Sequence, residues 1–420
     1  MKSKRHVPRR KTVDFLNRHF AVLFLIGYLA LHGFYHRPPG DSTATFWGTE
    51  NHNIAASIVE GRGFEDPYAP LETGPSAWVA PPFPYLLAGV FWLVVTKTVA
   101  AARLGLFLQV LVFGGTFWLL YSIVQRTFST NCAKLATLIW LISPDRIGLT
   151  SSHLSEVGFS AFSVLLAIFA VVRFQESPTR RAAALAGLAI GFAILCLPVV
   201  VLALPGFAWT LYTLARGRIL RPWAGPLVAF MICVAVLTPW IIRNYVVFGT
   251  FVFIKSNFGH TLYSANNDNS AGAASSVYTS EAERNLMQQM GEIEYNRYSL
   301  QRALAWTRDH KKEFLARCVR RALAFWVVNP AAGLKQWIWY LYQIPLLIVS
   351  TVGLWHRWRR NPVTILTLAI LIIVPIVYYL TGFAEQHRFR LPFEALLIIF
   401  CSSLIYDAST RHVTSQVMSP

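Results

Sequence analysis

The chain has 420 residues, of which 55% are hydrophobic and only 14% charged. So few polar side chains cannot solvate the surface of a single globular domain of this size, which excludes a soluble enzyme. The net charge of +18 comes from 38 Lys and Arg against 20 Asp and Glu, and the basic residues stand between apolar runs. This placement is typical of membrane topology and not of a nucleic-acid footprint. The five cysteines lie far apart, so neither a disulfide framework nor a zinc site is indicated.

Apolar runs recur along most of the chain. The first, at residues 20–34, follows a basic segment and is not followed by a small-residue cleavage site, which favours an uncleaved signal anchor with a cytoplasmic N-terminus. Nine further runs are compatible with membrane spans, the shorter ones together with flanking residues. They lie at 100–124, 132–144, 154–174, 182–197, 198–215, 224–243, 337–355, 362–380 and 391–408. The sequence therefore predicts an all-α polytopic membrane protein with about ten transmembrane helices.

Residues 84–97 are also apolar, but this run is short and follows a proline-rich stretch. We expect a helix that lies at the membrane surface or re-enters it, not a span. Ten spans counted from a cytoplasmic start place four short-loop basic clusters inside, as the positive-inside rule requires, whereas an eleventh span would move these four outside. The clusters are Arg126 with Lys134, Arg173/Arg180/Arg181, Arg216/Arg218/Arg221 and Arg357/Arg359/Arg360. Both termini are then cytoplasmic.

This topology divides the chain into five parts. They are a basic cytoplasmic tail (1–19), a transmembrane catalytic module with spans 1–7 (20–243), an outer segment (244–336), spans 8–10 (337–410) and a second cytoplasmic tail (411–420). The catalytic module includes a long outer loop, residues 36–99, with juxtamembrane helices. In the outer segment, residues 280–324 have the pattern of amphipathic helices. Any chemistry is expected on the outer face.

The first outer loop carries a carboxylate close to the first span. Thr45 or Thr49 can cap a helix that ends at Gly61 or Gly63, and Glu50 would lie near its start. One interpretation is a functional carboxylate at the membrane surface. The alternative is that Glu50 only favours the positive end of the helix, and the residues alone support it at least as well.

Glu156 opens the strongly apolar fourth span. A carboxylate inside a membrane is costly, so function is the first hypothesis for it. His153 could form half a metal site with Glu156, but two ligands without others at suitable spacing are weak evidence for a metal. For Asp145, in the preceding loop, we favour pairing with Arg146 or with solvent.

Four basic residues are expected at the outer ends of spans and around one outer cavity, namely Arg243, Lys255, Arg388 and Arg390. Cations at this depth suit the phosphate or diphosphate of a lipid-linked substrate. For Arg243 and Lys255, snorkelling to ordinary anionic headgroups is an equally open interpretation. The other two violate the positive-inside rule, so an anion must compensate them: a substrate phosphate, or Glu385 or Glu394 in a structural ion pair.

At these residues the sequence resembles the bacterial polyprenyl-phosphate-sugar-dependent glycosyltransferases of the GT-C superfamily, a family 39-like group related to protein O-mannosyltransferases and lipid A aminoarabinose transferases. The resemblance extends from Phe20 to Tyr406 and is carried by the order of several motifs. They are the acidic first outer loop, Gly-Pro then Pro-Pro-x-Pro-Tyr within 74–85, Leu-Ser-Glu at 154–156, Thr-Pro-Trp-x-x-Arg-Asn-Tyr-x-x-Phe-Gly at 238–249 and Arg-Phe-Arg-Leu-Pro at 388–392.

The resemblance implies transfer of a hexosyl or pentosyl group from a polyprenyl-phosphate donor to a glycan, lipid or protein acceptor, at the outer face of the bacterial cytoplasmic (inner) membrane. The acid of the first outer loop would be the base, and Glu50 is the matching position. Family members carry Asp there, often as Asp-Glu, whereas Glu50 follows Thr49; Asp41 and Glu60 stay open as substitutes. Glu156 would be a second acid that orients the acceptor or the surroundings of Glu50. No cofactor is indicated, and the resemblance implies a metal-independent or weakly metal-dependent reaction. Membrane lipids are expected partners, and nucleic acid is not.

A secondary transporter or flippase for a lipid-linked or anionic substrate is the alternative function. Such a protein should have broken helices at mid-membrane and charges near the centres of its spans. In this sequence the candidate charges cluster at the outer ends of spans and in outer loops, which favours surface chemistry. A non-catalytic scaffold with the same fold is a third hypothesis.

Overall fold

The computed structural model describes residues 20, 49–96, 98–147, 154–218, 221–269, 280–327, 336–357, 361–382 and 387–417. Apart from Phe20, the first predicted span lies outside these residues. The described part of the chain is built from helices and connecting loops, and no strand occurs in it. The all-α fold class expected from the sequence is therefore confirmed.

The helices are numbered here in chain order. They are α1 (Thr49–Val59), α2 (Pro82–Leu93), α3 (Val99–Thr127), α4 (Thr130–Leu141), α5 (Val157–Glu176), α6 (Arg180–Cys196), a 3-10 helix (Pro198–Ala203), α7 (Leu204–Ala215), α8 (Ala224–Phe248), α9 (Phe258–Ala265), α10 (Glu281–Met290), α11 (Glu292–Asp309), α12 (Lys311–Trp326), α13 (Gln336–Arg357), α14 (Pro362–Ile373), α15 (Ile376–Thr381) and α16 (His387–Val417).

Seven helical stretches in the described ranges are long and apolar enough to cross a membrane, so the protein is a multi-pass membrane protein. They are Val99–Thr127, Val157–Glu176, Pro198–Ala215, Ala224–Phe248, Trp337–Arg357, Pro362–Thr381 and Phe389–Ser409. Two other predicted spans, 132–144 and 182–197, correspond to α4 and α6, which have 12 and 17 residues. The total of ten spans stays a prediction.

The proline-rich stretch of the first loop does form a short helix. Helix α2 has 12 residues and begins at Pro82, where the absent N–H of proline is not needed. A helix of this length extends about 18 Å, well short of the roughly 30 Å hydrocarbon core. The helix is thus short, as a surface or re-entrant helix would be, but α4 has the same length, so the absence of a span here stays a prediction.

Helix α8 is longer than the sequence suggested. It continues through Pro239 and ends at Phe248, followed by Gly249 with a left-handed φ of 65°. Glycine after the last turn is a common way to end a helix, because it adopts positive φ without strain. The helix therefore extends five residues beyond the predicted end of the seventh span at residue 243, and Arg243 lies inside it.

The membrane helices pack into one bundle. Helix α6 packs against α5 and α8, and α16 packs against α4, α5 and α13. The α6–α8 contact is very close at Gly187, where an added Cβ would lie 2.2 Å from the carbonyl oxygen of Ala229. Small residues at such crossings let two backbones approach, which is how membrane helices gain packing energy.

Helices α10–α12 form the amphipathic segment that the sequence predicted at residues 280–324. Buried arginines of α12 fasten this segment to the residues after α9 and to the end of the membrane helix that includes α15. Arg317 donates to the carbonyl of Asn267 at 3.1 Å, and Arg321 donates to the carbonyl of Leu380 in α15 at 2.9 Å. Carbonyls at the C-terminal ends of helices lack intrahelical partners, so the guanidinium groups satisfy acceptors that burial would otherwise leave unpaired.

Candidate functional site

A cavity of about 340 Å³ lies where α5 begins and α6 ends, next to α1, α2 and α9. We call this the loop end of the bundle. The walls are mostly apolar, and the residues of the lining that carry polar side-chain groups are Asn51, Glu156, Ser160, Cys196, Lys255, Asn257, Thr261, Tyr378 and Thr381. A concave, largely apolar site with a few polar groups is the usual form of a small-molecule pocket.

One carboxylate, that of Glu156, lines the cavity directly before the first turn of α5. Its Oε2 accepts a hydrogen bond of 3.2 Å from the Nδ2 of Asn51. That bond joins the start of α1 to the start of α5. Glu50 precedes Asn51, is half-buried and does not belong to the cavity lining. The fold thus brings the surroundings of the two predicted acids together, with Glu156 in the cavity itself.

Lys255 also lines the cavity, on the segment between α8 and α9. Its two neighbours in sequence are fixed by hydrogen bonds. The carbonyl of Ile254 accepts from the indole Nε1 of Trp240 at 2.9 Å, and the backbone N–H of Ser256 donates to the carbonyl of Ala77 at 2.9 Å. The backbone position of Lys255 beside the cavity is therefore set by both α8 and the first loop.

The buried carboxylate of Glu292, at the start of α11, holds these segments together. Its Oε1 accepts from the N–H of Ala77 at 2.7 Å and the hydroxyl of Ser256 at 2.5 Å, and its Oε2 accepts from the hydroxyl of Ser76 at 2.6 Å. Burial raises the pKa of Glu292, while the hydrogen bonds and the nearby Arg243 oppose that rise. Glu292 is a positioning residue for the segment that carries Lys255.

Sequence reasoning missed Glu292. A signal was available: residues 292, 295 and 299 share one face of the amphipathic helix, and Tyr295 and Ser299 are buried with it. A glutamate on the inward face of such a helix must find donors in the protein, because burying a bare carboxylate is costly.

Arg243, predicted to bind phosphate, is engaged by the first loop and does not line the cavity. Its Nη1 donates to the carbonyl of Ser76 at 2.6 Å and its Nη2 to that of Phe64 at 2.9 Å. The guanidinium also lies over the ring of Trp240, 5.0 Å from its centroid. In this arrangement Arg243 ties the first loop to α8.

Arg390 is buried in the bundle, 1% exposed, and does not line the cavity either. It forms an ion pair with Asp145 and donates to the carbonyl of Phe325 at 2.8 Å. The favoured partner of Asp145, Arg146 or solvent, is therefore wrong. Arg390 and Asp145 are far apart in the sequence, and the packing of α16 brings them together. Arg146, the sequence neighbour of Asp145, donates instead to the carbonyl of Trp140 at 3.0 Å.

The remaining candidates are placed as follows. Arg388 lies in the first turn of α16 beside Phe389, which lines the cavity, but its side chain is outside the described part. Asp41, His153 and Glu385 are also outside it. Glu60 forms an exposed ion pair with Arg62 at 2.7 Å. Within the described ranges, no three His, Cys, Asp or Glu side chains come together as a metal site would require.

No protein-family model matches the sequence, and neither does any curated protein. Solved structures of the Archaeoglobus fulgidus oligosaccharyltransferase do match. The form tethered to an acceptor peptide with an NVT sequon has a TM-score of 0.59 at 12% identity, over 97% of this chain and 51% of that one. The complex with an inhibitory peptide and a dolichol-phosphate has a TM-score of 0.58 at 12% identity, over 96% and 53%. The complex with Zn and sulfate has 0.57 at 13%, over 93% and 49%.

This chain spans about half the length of the oligosaccharyltransferase chains. At this level of identity the likeness concerns the fold. The described architecture therefore shares its fold with about half of the archaeal oligosaccharyltransferase.

Proposed function

We propose that this protein is an integral membrane glycosyltransferase that transfers a sugar from a polyprenyl-phosphate donor to an acceptor at the outer face of the cytoplasmic membrane. The observation that carries the proposal is that Glu156 and Lys255 lie in one apolar cavity at the loop end of a GT-C fold. The archaeal oligosaccharyltransferase of the same fold has been captured with a dolichol-phosphate and with peptides, which supports a lipid-phosphate donor.

The chemistry needs few groups. A sugar bonded to phosphate already has a good leaving group, so transfer requires a carboxylate near the acceptor hydroxyl and a cation at the departing phosphate. Glu50, which adjoins the cavity-lining Asn51 without lining the cavity itself, is the proposed base, and Glu156 in the cavity orients the acceptor or the base. Lys255 is the proposed phosphate ligand, with Arg388 as the second. The apolar walls strengthen these interactions by excluding water.

Arg243 and Arg390 are weaker candidates for the phosphate. To reach a donor in the cavity, each arginine would have to break its hydrogen bonds to backbone carbonyls. Arg390 would also have to break its ion pair with Asp145. An unpaired buried charge or acceptor costs several kcal/mol, about as much as a new phosphate contact returns. We therefore assign both residues first to holding the fold around the site.

The test uses the purified protein, labelled polyprenyl-phosphate sugars and acceptor membranes from a deletion strain. Glu50→Gln preserves shape but removes the proton acceptor, so we expect donor binding to persist while turnover falls about 100-fold or more. Glu156→Gln should have a smaller effect. The matched control is Glu72→Gln, which changes an exposed carboxylate of the same loop and should leave turnover unchanged.

Two results would overturn the proposal. One is normal transfer by both Glu50→Gln and Glu156→Gln. The other is movement of the labelled lipid across proteoliposome membranes without a glycosylated product, which would support the transporter. If turnover falls in Glu60→Gln and not in Glu50→Gln, Glu60 is the base and the proposed reaction stands.

A further inference from the structure

We propose that a groove between α5 and α6 binds an anionic phospholipid. The groove has a volume of about 840 Å³ and is lined by both helices, their connecting loop and Val236 of α8. It lies where α5 ends and α6 begins. The cavity of the candidate site lies at the opposite ends of the same helices, and Arg173 at the basic end of the groove is about 25 Å from Glu156 along α5.

The greater part of the groove is apolar. The residues that line it recur at helical spacing, so each helix contributes one continuous face. They are Leu166, Phe169 and Ala170 on α5, and Ala182, Leu185, Leu188, Ala189 and Phe192 on α6. Leu185 and Leu188 are 53% and 50% exposed, so the groove is open on the side of the membrane. These walls suit acyl chains.

The polar end of the groove is basic. Arg173 and Arg181 line it together with Ser177 and Thr179. Arg173 shares the carboxylate of Glu176 with Arg126, each at 2.7 Å, so one anion serves two cations. Arg181 adds a further positive charge, and the local balance favours an anionic ligand.

The positive-inside rule alone accounts for arginines at the ends of spans. It does not account for an apolar groove that starts among them and continues along the bundle. A phospholipid matches both features, because its phosphate can contact Arg173 and Arg181 while its chains follow α5 and α6.

The test is lipid binding to the full-length protein in detergent, measured by native mass spectrometry and by thermal unfolding. Phosphatidylglycerol should remain bound and raise the Tm, whereas phosphatidylcholine with the same chains should do so far less. Arg181→Ala should lower the apparent phosphatidylglycerol affinity about 10-fold, as expected for a lost charge-assisted contact. Ala182→Phe, which fills the groove, should weaken the binding of this lipid without removing any charge.

Arg216→Ala is the matched control, because Arg216 is exposed and lies outside the groove lining. It should bind phosphatidylglycerol like the unchanged protein. Equal binding of the two lipids, or equal losses in Arg181→Ala and Arg216→Ala, would overturn the proposal. So would preferential binding of a polyprenyl phosphate at this groove, or a dimer that Ala182→Phe abolishes.

Discussion

Glu292 shows how one buried side chain can organise a site that it does not enter. Its two oxygens accept three hydrogen bonds, from Ser76, Ala77 and Ser256. Lys255 is the neighbour of Ser256 and lines the cavity. A loss of these hydrogen bonds should therefore appear twice, as lower stability of the fold and as weaker binding of the donor phosphate.

Glu292→Gln tests this. The amide keeps one acceptor oxygen and replaces the other by a donor, so at least one of the three donors loses its partner. We expect a loss of about 1–3 kcal/mol in the free energy of unfolding, together with a higher KM for the donor. Thermal unfolding in detergent and donor titrations measure the two effects.

Glu294→Gln is the control, because Glu294 is exposed on the same helix and pairs with Arg297 at 2.5 Å. An exposed ion pair of this kind contributes little, so the change in stability should stay within about 0.5 kcal/mol. Equal losses in the two variants would contradict the special role of Glu292.

His260 of α9 is held neutral by its neighbours. Tyr295 donates its hydroxyl proton to Glu283 at 2.8 Å, so the Tyr295 oxygen accepts from the Nδ1 of His260 at 3.0 Å. The Nε2 then accepts from the hydroxyl of Ser264 at 3.1 Å. Both ring nitrogens are satisfied in the neutral form. Burial lowers the pKa of His260 to about 4, and the charge of Glu283 opposes the shift.

Stability should therefore fall in mildly acidic solution. The unfolded chain binds a proton at His260 below pH ~6.5, whereas the folded chain does so only near its pKa of about 4. The loss accumulates as the pH falls through this window and amounts to at most about 3 kcal/mol. We expect the Tm difference between about pH 7.5 and pH 5 to be smaller in His260→Gln than in the unchanged protein. The same difference in both would show that other groups cause the acid sensitivity.

At the scale of the elements, the contact between α6 and α8 depends on Gly187. Any Cβ at this position would overlap the backbone of Ala229. The helices would have to separate, and packed membrane helices lose contact energy over their whole length when they do.

We predict that Gly187→Ala costs about 1–3 kcal/mol, the usual price of an overpacked interior. Gly114→Ala in α3 is the control, because a Cβ there meets no atom within 4 Å. Alanine has a higher helix propensity than glycine, so Gly114→Ala should leave the stability unchanged or raise it by up to about 1 kcal/mol. The unfolding temperature in detergent and the yield of folded protein are measured for both variants. Equal behaviour would mean that α6 and α8 adjust without cost.

The sequence predicted elements better than their connections. Amphipathic spacing located α10–α12, and the apolar run at 84–97 predicted a short helix that the structure has at Pro82–Leu93. The end of α8 was missed because Pro239 and the aromatic residues after it suggest a break, whereas the helix continues to Gly249. Arg243 and Arg321 donate mainly to backbone carbonyls, which every residue has, so no pattern in the sequence could identify these partners.

The sequence likewise predicted only part of the candidate site. Glu156 and Lys255 stand at the ends of apolar runs, and their position alone marked them as costly charges near a membrane boundary. Arg390 carried the same signal, but its partner is Asp145, far away in the chain. Only the packing of α16 in the bundle distinguishes a cation that faces a cavity from one that stabilises the core.

At the scale of the whole molecule, arginines cluster at one end of the helix bundle. Arg126 pairs with Glu176 at 2.7 Å, and Arg218 donates to the carbonyl of Gln175 at 2.6 Å, so the ends of α3, α5 and α7 lie together. This arginine end is opposite the loop end with its cavity. Because short basic loops remain in the cytoplasm, the arrangement predicts a cytoplasmic arginine end and an outward-facing cavity.

Single cysteines test this topology in intact cells, in a background with Cys318, the partly exposed native cysteine of the described residues, changed to serine. Glu72→Cys and Arg297→Cys place exposed thiols at the loop end, and Arg216→Cys places one at the arginine end. A membrane-impermeant thiol reagent should label the first two from outside and the third only after permeabilisation, since charged reagents do not cross the hydrocarbon core. The reverse pattern would place the cavity in the cytoplasm and contradict the proposed sidedness. Labelling of all three from outside would mean that the number of spans between the two ends is wrong.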